Sequence, residues 1–135
     1  MPFVLDASTT LAWFLPGQGS PHTDTLLARV MLTGAVVPAL WIFEVSAVLL
    51  RWNASNLLSD TLLLYILQDL ITLPVDVHAE MSAVLDVVRT GKALGITGYD
   101  AAYLELAERL GLPLATNDEQ LKAAAKLLGI PIATA

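Results

Sequence analysis

Leu110-Gly111-Leu112-Pro113-Leu114-Ala115-Thr116-Asn117-Asp118-Glu119 runs from the end of one helix, through a short apolar strand, to the start of another. Gly111 suits the position just past a helix C-terminus, and Thr116 to Glu119 carries helix-start chemistry. Working outward, the spacing predicts a helix over Tyr99–Leu110, a strand over Leu112–Ala115, a helix over Glu119–Leu128 closed by Gly129, and a strand over Ile130–Ala133. The same alternation fills the rest of the chain. Phe3–Asp6 reads as a strand buried on both faces, and Thr9–Leu15 as a short helix stopped by Pro16-Gly17. A helix around Asp24–Thr33 closed by Gly34, a strand at Ala35–Val37 and a helix over Leu40–Asn53 follow. Ser59-Asp60 caps a helix through Ile71, and Leu73–Val77 is either a strand or an extended connection. A helix over His78–Arg89 and a Gly-bounded loop from Gly91 to Gly98 complete the series. Such alternation implies an α/β fold with a mostly parallel central sheet flanked by helices. With no repeat, low-complexity tract or linker, residues 1–135 read as one domain.

The composition is 56% hydrophobic and 15% charged, more apolar than one soluble surface requires. A membrane span does not absorb the excess. Val30 to Phe43, the longest uncharged apolar stretch, is cut by Gly34 and Pro38 and falls short of the roughly 20 residues needed. Asp6 sits inside the N-terminal apolar run with no basic residue before it, which argues against a signal peptide. The absence of Cys rules out disulfides and thiolate metal sites. A cytoplasmic protein with apolar contact surfaces is the expectation. A net charge of −6 opposes a broad nucleic-acid footprint, and the seven cations leave at most a small basic rim.

Four acids stand where an isolated carboxylate should not. Asp6 ends the run Phe3-Val4-Leu5, Glu44 interrupts Leu40 to Val45, Asp100 opens Tyr99 to Leu104, and Asp118 closes Pro113 to Asn117. Asp6 and Asp118 follow strands of the expected parallel sheet, at the carboxyl edge where such sheets bind ligands. Asp100 and Glu44 lie in the first turns of helices that begin over the same edge. Each acid also has a plain structural reading. Asp6 fits an N-cap, Asp100 the third position of a box begun by Thr97, and Asp118 a partner of the helix dipole. Glu44 fits these readings least, because Leu40, Trp41, Ala47 and Val48 surround it at helical spacing. An unpaired buried carboxylate is costly, and clustered carboxylates without Cys select a hard ion such as Mg²⁺ or Mn²⁺. Ser8 is placed to bond a carboxylate or to cap the next helix, and Thr116 and Asn117 to support Asp118. His22 and His78 read as solvated or capping residues.

Taken together, Val4-Leu5-Asp6-Ala7-Ser8, Glu44 on an apolar helix, Tyr99-Asp100-Ala101-Ala102-Tyr103-Leu104 and Leu114-Ala115-Thr116-Asn117-Asp118 resemble the PIN-domain ribonucleases, and among them the VapC-type toxins of prokaryotic toxin–antitoxin pairs. The resemblance spans nearly the whole chain in order and implies a PIN-like three-layer sandwich. It carries the family's acidic quartet onto Asp6, Glu44, Asp100 and Asp118, with Asp6, Asp100 and Asp118 as metal ligands and Glu44 as ligand or water orienter. The family's hydroxyl positions fall on Ser8 and Thr116. Phe43 stands where many members have Asn before the helix Glu, so no side-chain role is implied there. The implied activity is Mg²⁺- or Mn²⁺-dependent cleavage of RNA to a 5′-phosphate and a 3′-hydroxyl. The implied partners are an RNA substrate, a cognate antitoxin and a second copy of the chain in a homodimer. Trp13, Phe14, Trp41, Ile42, Leu49 and Trp52, on the first and third expected helices, are the expected lining of an antitoxin groove. Two alternatives stand beside this reading. One is a non-catalytic PIN-like binding module. The other is an aspartyl-nucleophile phosphatase built on Asp6, which lacks its usual second Asp at Ser8 and a later Lys.

Overall fold

The computed structural model describes residues 1–81 and 83–134. Its elements are β1 (Phe3–Leu5), α1 (Ala7–Phe14), α2 (Pro21–Thr33), β2 (Ala35–Pro38), α3 (Leu40–Ala54), α4 (Asp60–Leu70), β3 (Val75–His78), α5 (Ala83–Leu94), α6 (Gly98–Leu110), β4 (Leu114–Ala115) and α7 (Glu119–Leu127). The strands form one sheet in the order β3-β2-β1-β4, and every pairing is parallel. The fold is therefore α/β with an all-parallel central sheet flanked by helices.

β1 is the hub. Its three residues are fully buried, as a strand covered on both faces must be. Val4 points to one face, where Val36, Leu114, Leu104 of α6 and Leu121 of α7 close over it. Phe3 and Leu5 point to the other, against Leu26 and Val30 of α2. A third cluster under α1, α3 and α4 gathers Ala7, Leu15, Val45, Leu49, Leu58 and Ile66. The chain builds outward on one side, from β1 through β2 to β3, and then returns to the opposite side of β1 as β4. The reversal puts a topological switch point at the carboxyl ends of β1 and β4, where parallel sheets open a crevice.

Several boundaries differ from expectation. α1 begins at Ala7 rather than Thr9, and α2 at Pro21, where Ser20 forms a capping box with Thr23. The expected helix over His78–Arg89 is displaced. Val75–His78 pairs with β2 as the edge strand, and the helix runs from Ala83 to Leu94, through most of the expected loop. Residue 82, inside that expected helix, lies outside the described residues. Gly91 is tolerated within α5 because the backbone approaches closely there: a Cβ would stand 3.3 Å from the Ile96 carbonyl and 3.6 Å from the Ala101 Cβ. The expected strand Ile130–Ala133 reduces to one bridge, Leu114 to Ile132. Pro131 has no N–H to donate, and the Ile130 N–H is spent on the Ala125 carbonyl at the end of α7.

The expected groove of α1 and α3 aromatics is not what forms. The Trp13 Nε1–H donates to the Thr23 carbonyl at 2.6 Å, and the Trp41 Nε1–H to Thr10 Oγ1 at 2.9 Å, so both indoles are tied into helix seams. Phe14 and Trp52 pack on the third cluster. An apolar groove of about 590 Å³ opens instead between α3, α4 and β3, keeping Trp41, Ile42 and Leu49 and adding Leu67, Ile71 and Val77. Among the described residues no helix is long and apolar enough to cross a membrane.

Gly34 sets the entry to β2 at φ 77 and ψ 177, a region nearly closed to other residues. A Cβ there would also stand 3.1 Å from the Pro74 carbonyl. Gly34→Ala is expected to cost about 1–3 kcal/mol, read as a lower urea midpoint at unchanged slope. An unchanged midpoint would show that the β2 entry relaxes freely.

Candidate active site

The crevice at the switch point is a cavity of about 370 Å³, and all four singled-out acids line it, together with Ala7, Ser8, Leu11, Ala47, Val48 and Arg51. Each acid arrives by its own route. Asp6 follows β1 directly and Asp118 follows β4. Asp100 lies in the first turn of α6, and Glu44 on α3, which starts just after β2.

Asp6 is 7% exposed. It precedes α1 in extended conformation, yet its side chain makes no capping bond; the plain N-cap reading does not describe it. Its Oδ2 instead accepts two hydroxyls, from Ser8 at 2.7 Å and from Thr116 at 2.7 Å. Each hydroxyl has one proton and spends it on Asp6. Their oxygens then accept backbone N–H groups, Asn117 to Ser8 and Asp118 to Thr116, both at 3.0 Å. Of the expected support for Asp118, Thr116 supplies a bond to its backbone N–H. Thr116 holds Asp6, and Asn117 contributes its backbone. Burial pushes the Asp6 carboxyl above its ordinary value, the two hydroxyls pull it back, and the charge of Asp118 raises it again.

Glu44 is half-buried, and its Oε1 accepts the Tyr103 hydroxyl at 2.6 Å. Burial raises its carboxyl most, the Tyr103 bond lowers it, and Asp6 and Asp100 raise it further. Tyr103 itself is 1% exposed. Its hydroxyl is pushed well above its usual range, by burial first and then by Glu44, so it remains a proton donor. Sequence reasoning gave Tyr103 no role, although it lies three residues after Asp100 and so on the same face of α6.

Asp100 sits where the Thr97 hydroxyl accepts its N–H at 3.1 Å. The reciprocal bond, in which the Thr97 N–H would donate to the Asp100 carboxylate, is absent among the described residues, so only half of the expected box forms. Burial, then Asp118, then Asp6 raise the Asp100 carboxyl. Asp118, not Thr116, is the N-cap of α7, its Oδ1 accepting from Gln120 at 2.9 Å and Leu121 at 3.3 Å. His22 and His78 do not line the cavity, and His78 faces Asp76 at 3.1 Å.

The contrast with Glu105 is informative. It is as buried as Asp6, but Arg109 Nε stands 2.6 Å away. Among the described residues no Lys or Arg comes within ion-pair distance of any of the four cavity acids. Nor is any group of three acidic or histidine side chains there already gathered into a metal cage. The donor set nevertheless suits a hard divalent ion: oxygen ligands only, carboxylates raising one another's pKa, and no resident counter-charge.

A model of the PIN domain family matches residues 3–127. Ribonuclease VapC3 of Pyrobaculum aerophilum is 27% identical over 128 residues, 90% of this chain and 92% of that protein. Among solved structures, PAE2754 from Pyrobaculum aerophilum superposes with a TM-score of 0.61 at 24% identity, covering 92% of this chain and 86% of that one. FitAcB from Neisseria gonorrhoeae gives 0.64 at 18%, covering 96% and 95%. The two structural likenesses speak for the fold.

Three acids with raised folded pKa values bind protons more tightly in the folded than in the unfolded state. Their ionisation therefore works against folding. In chelator, stability should rise as pH falls from neutral toward the ordinary carboxylate values of 3.8 for Asp and 4.5 for Glu. At neutral pH Asp100→Asn should melt a few degrees higher than wild type in EDTA and gain less on adding Mn²⁺. If it melts lower in EDTA and both proteins respond equally to Mn²⁺, Asp100 is a capping residue only.

Proposed function

The chain belongs to the PIN domain family, and from that premise we propose that it is a metal-dependent endoribonuclease, the toxin of a toxin–antitoxin pair. The observation that carries this reading is the convergence of Asp6, Glu44, Asp100 and Asp118 on one crevice, with no cation among the described residues paired to any of them. The resemblance to Ribonuclease VapC3 supports RNA as the substrate and an antitoxin as the partner. Unstacked, single-stranded or looped RNA is the form that such a crevice can admit.

Asp6, Asp100 and Asp118 are the proposed ligands of Mg²⁺ or Mn²⁺. Bound there, the ion would supply Lewis acidity, acidifying a water and offsetting charge on the phosphodiester. The protein orients these groups beforehand. Ser8 and Thr116 hold one oxygen of Asp6, and the α7 N-terminus holds one oxygen of Asp118. Tyr103 occupies Oε1 of Glu44 and leaves Oε2 to orient or deprotonate the attacking water. Leu11, Ala47 and Val48 wall the crevice on its α1 and α3 sides.

Surplus apolar surface supports the proposed partners. The groove between α3, α4 and β3 suits an amphipathic antitoxin segment. α5 buries none of its described residues, and its Val84, Leu85 and Val88 are each more than half exposed, which suits contact with a second copy.

Asp6→Asn should lower Mn²⁺-dependent RNA cleavage by roughly 10²-fold or more while far-UV circular dichroism stays unchanged. Wild-type cleavage that persists in excess EDTA would overturn the metal mechanism. Asp6→Asn cleaving like wild type would favour a non-catalytic crevice. Tyr103→Phe removes a bond that lowers the Glu44 pKa. The acid limb of its pH–rate profile should therefore move to higher pH, with KM little changed. A profile superimposable on wild type would separate Glu44 ionisation from turnover.

A further inference from the structure

Arg51 is the one cation lining the acidic cavity, and among the described residues it pairs with none of the acids there. Next to four carboxylates, an arginine would ordinarily close an ion pair. α3 prevents it. Arg51 follows Glu44 by seven residues on the same face, in the last turn of the helix, where its charge complements the helix dipole. Ala47 and Val48 lie between them on that face, with Leu11 of α1 beside them. Along α3 the crevice therefore runs from the Glu44 carboxylate past Ala47 and Val48 to the exposed Arg51.

We propose that Arg51 binds a phosphate of the RNA strand that flanks the scissile one. This rests on the nuclease reading and adds to it the path of the substrate. The planar guanidinium fork matches phosphate oxygens and, with no acid paired to it among the described residues, has no ion pair to break on binding. Seven residues of helix set the Arg51 backbone about 10 Å from that of Glu44, which places its side chain toward a flanking phosphate and not the reacting one. Arg51 thus addresses a phosphate away from the reacting bond, and such a contact strengthens binding without changing the chemical step. The strand runs along α3 from its N-terminal turns toward Arg51.

The test uses the intact protein with Mn²⁺ and a single-stranded RNA of mapped cleavage site. Arg51→Ala should raise KM about tenfold with kcat within about twofold, and the salt dependence of KM should weaken by about 0.7 in log–log slope, one phosphate contact on a single strand. Arg51→Lys, which keeps the charge and loses the fork, should recover only part of the loss, and Lys126→Ala, on α7, should leave KM unchanged. RNAs carrying one neutral methylphosphonate linkage at successive positions then locate the contact. One flanking position should raise KM for wild type and have no further effect on Arg51→Ala. The inference is overturned if KM and slope match wild type, as they would if Arg51 served a protein partner. It also falls if kcat drops instead of KM, or if no linkage couples to Arg51. A wild type that cuts no RNA overturns the nuclease reading first and this inference with it.

Discussion

The two hydroxyl bonds to Oδ2 of Asp6 tie together most of what makes this protein distinctive. β1 is buried on both faces and is followed by a carboxylate that is largely removed from water. Such a group must be compensated locally or it destabilises the fold. Ser8 comes from the start of α1 and Thr116 from the end of β4, 108 residues apart. Their convergence on one oxygen therefore joins the outlets of the two central strands. The interaction that makes Asp6 tolerable is also the one that shapes the crevice floor.

That compensation is deliberately incomplete in physical terms. Hydroxyls and backbone N–H groups soften the charge without cancelling it, and the neighbouring acids push the other way. Glu105 shows what full compensation looks like in the same fold: a buried carboxylate with a guanidinium against it. The proposed metal centre is strained where Glu105 is satisfied, the usual relation between a ligand site and the stability it gives up. Arg51 stands near enough to colour the crevice and too far along α3 to neutralise it.

Much of the architecture was legible because it follows from local rules. The unbroken apolar run before Asp6 marked a central strand, and Gly34, Gly111 and Gly129 marked helix ends, as their positive φ values bear out. The misread parts share a cause. Val75–His78 carries weak strand signals, and its identity comes from pairing with β2. Gly91 looked like a breaker, but its lack of a side chain is what lets α5 lie close to the start of α6. Ile130–Ala133 has strand composition, but Pro131 has no N–H and the α7 C-terminus takes that of Ile130, so the segment pairs with β4 chiefly through the Ala133 N–H and the Pro131 carbonyl.

The sequence by itself determined which acids stand out and at which sheet edge they lie, because a carboxylate at the end of an apolar strand or on an apolar helix stripe is conspicuous without coordinates. Asp6, Glu44 and Asp118 were visible in this way, whereas Asp100 fitted a capping box and stood out only beside the other three. The tertiary structure alone decided who serves whom. That Thr116 holds Asp6, that Tyr103 holds Glu44, and that Arg51 shares the crevice unpaired are relations between side chains brought together by strand order and helix packing. Local propensity cannot encode them, since hydrogen bonds between distant segments depend on the path of the chain between them.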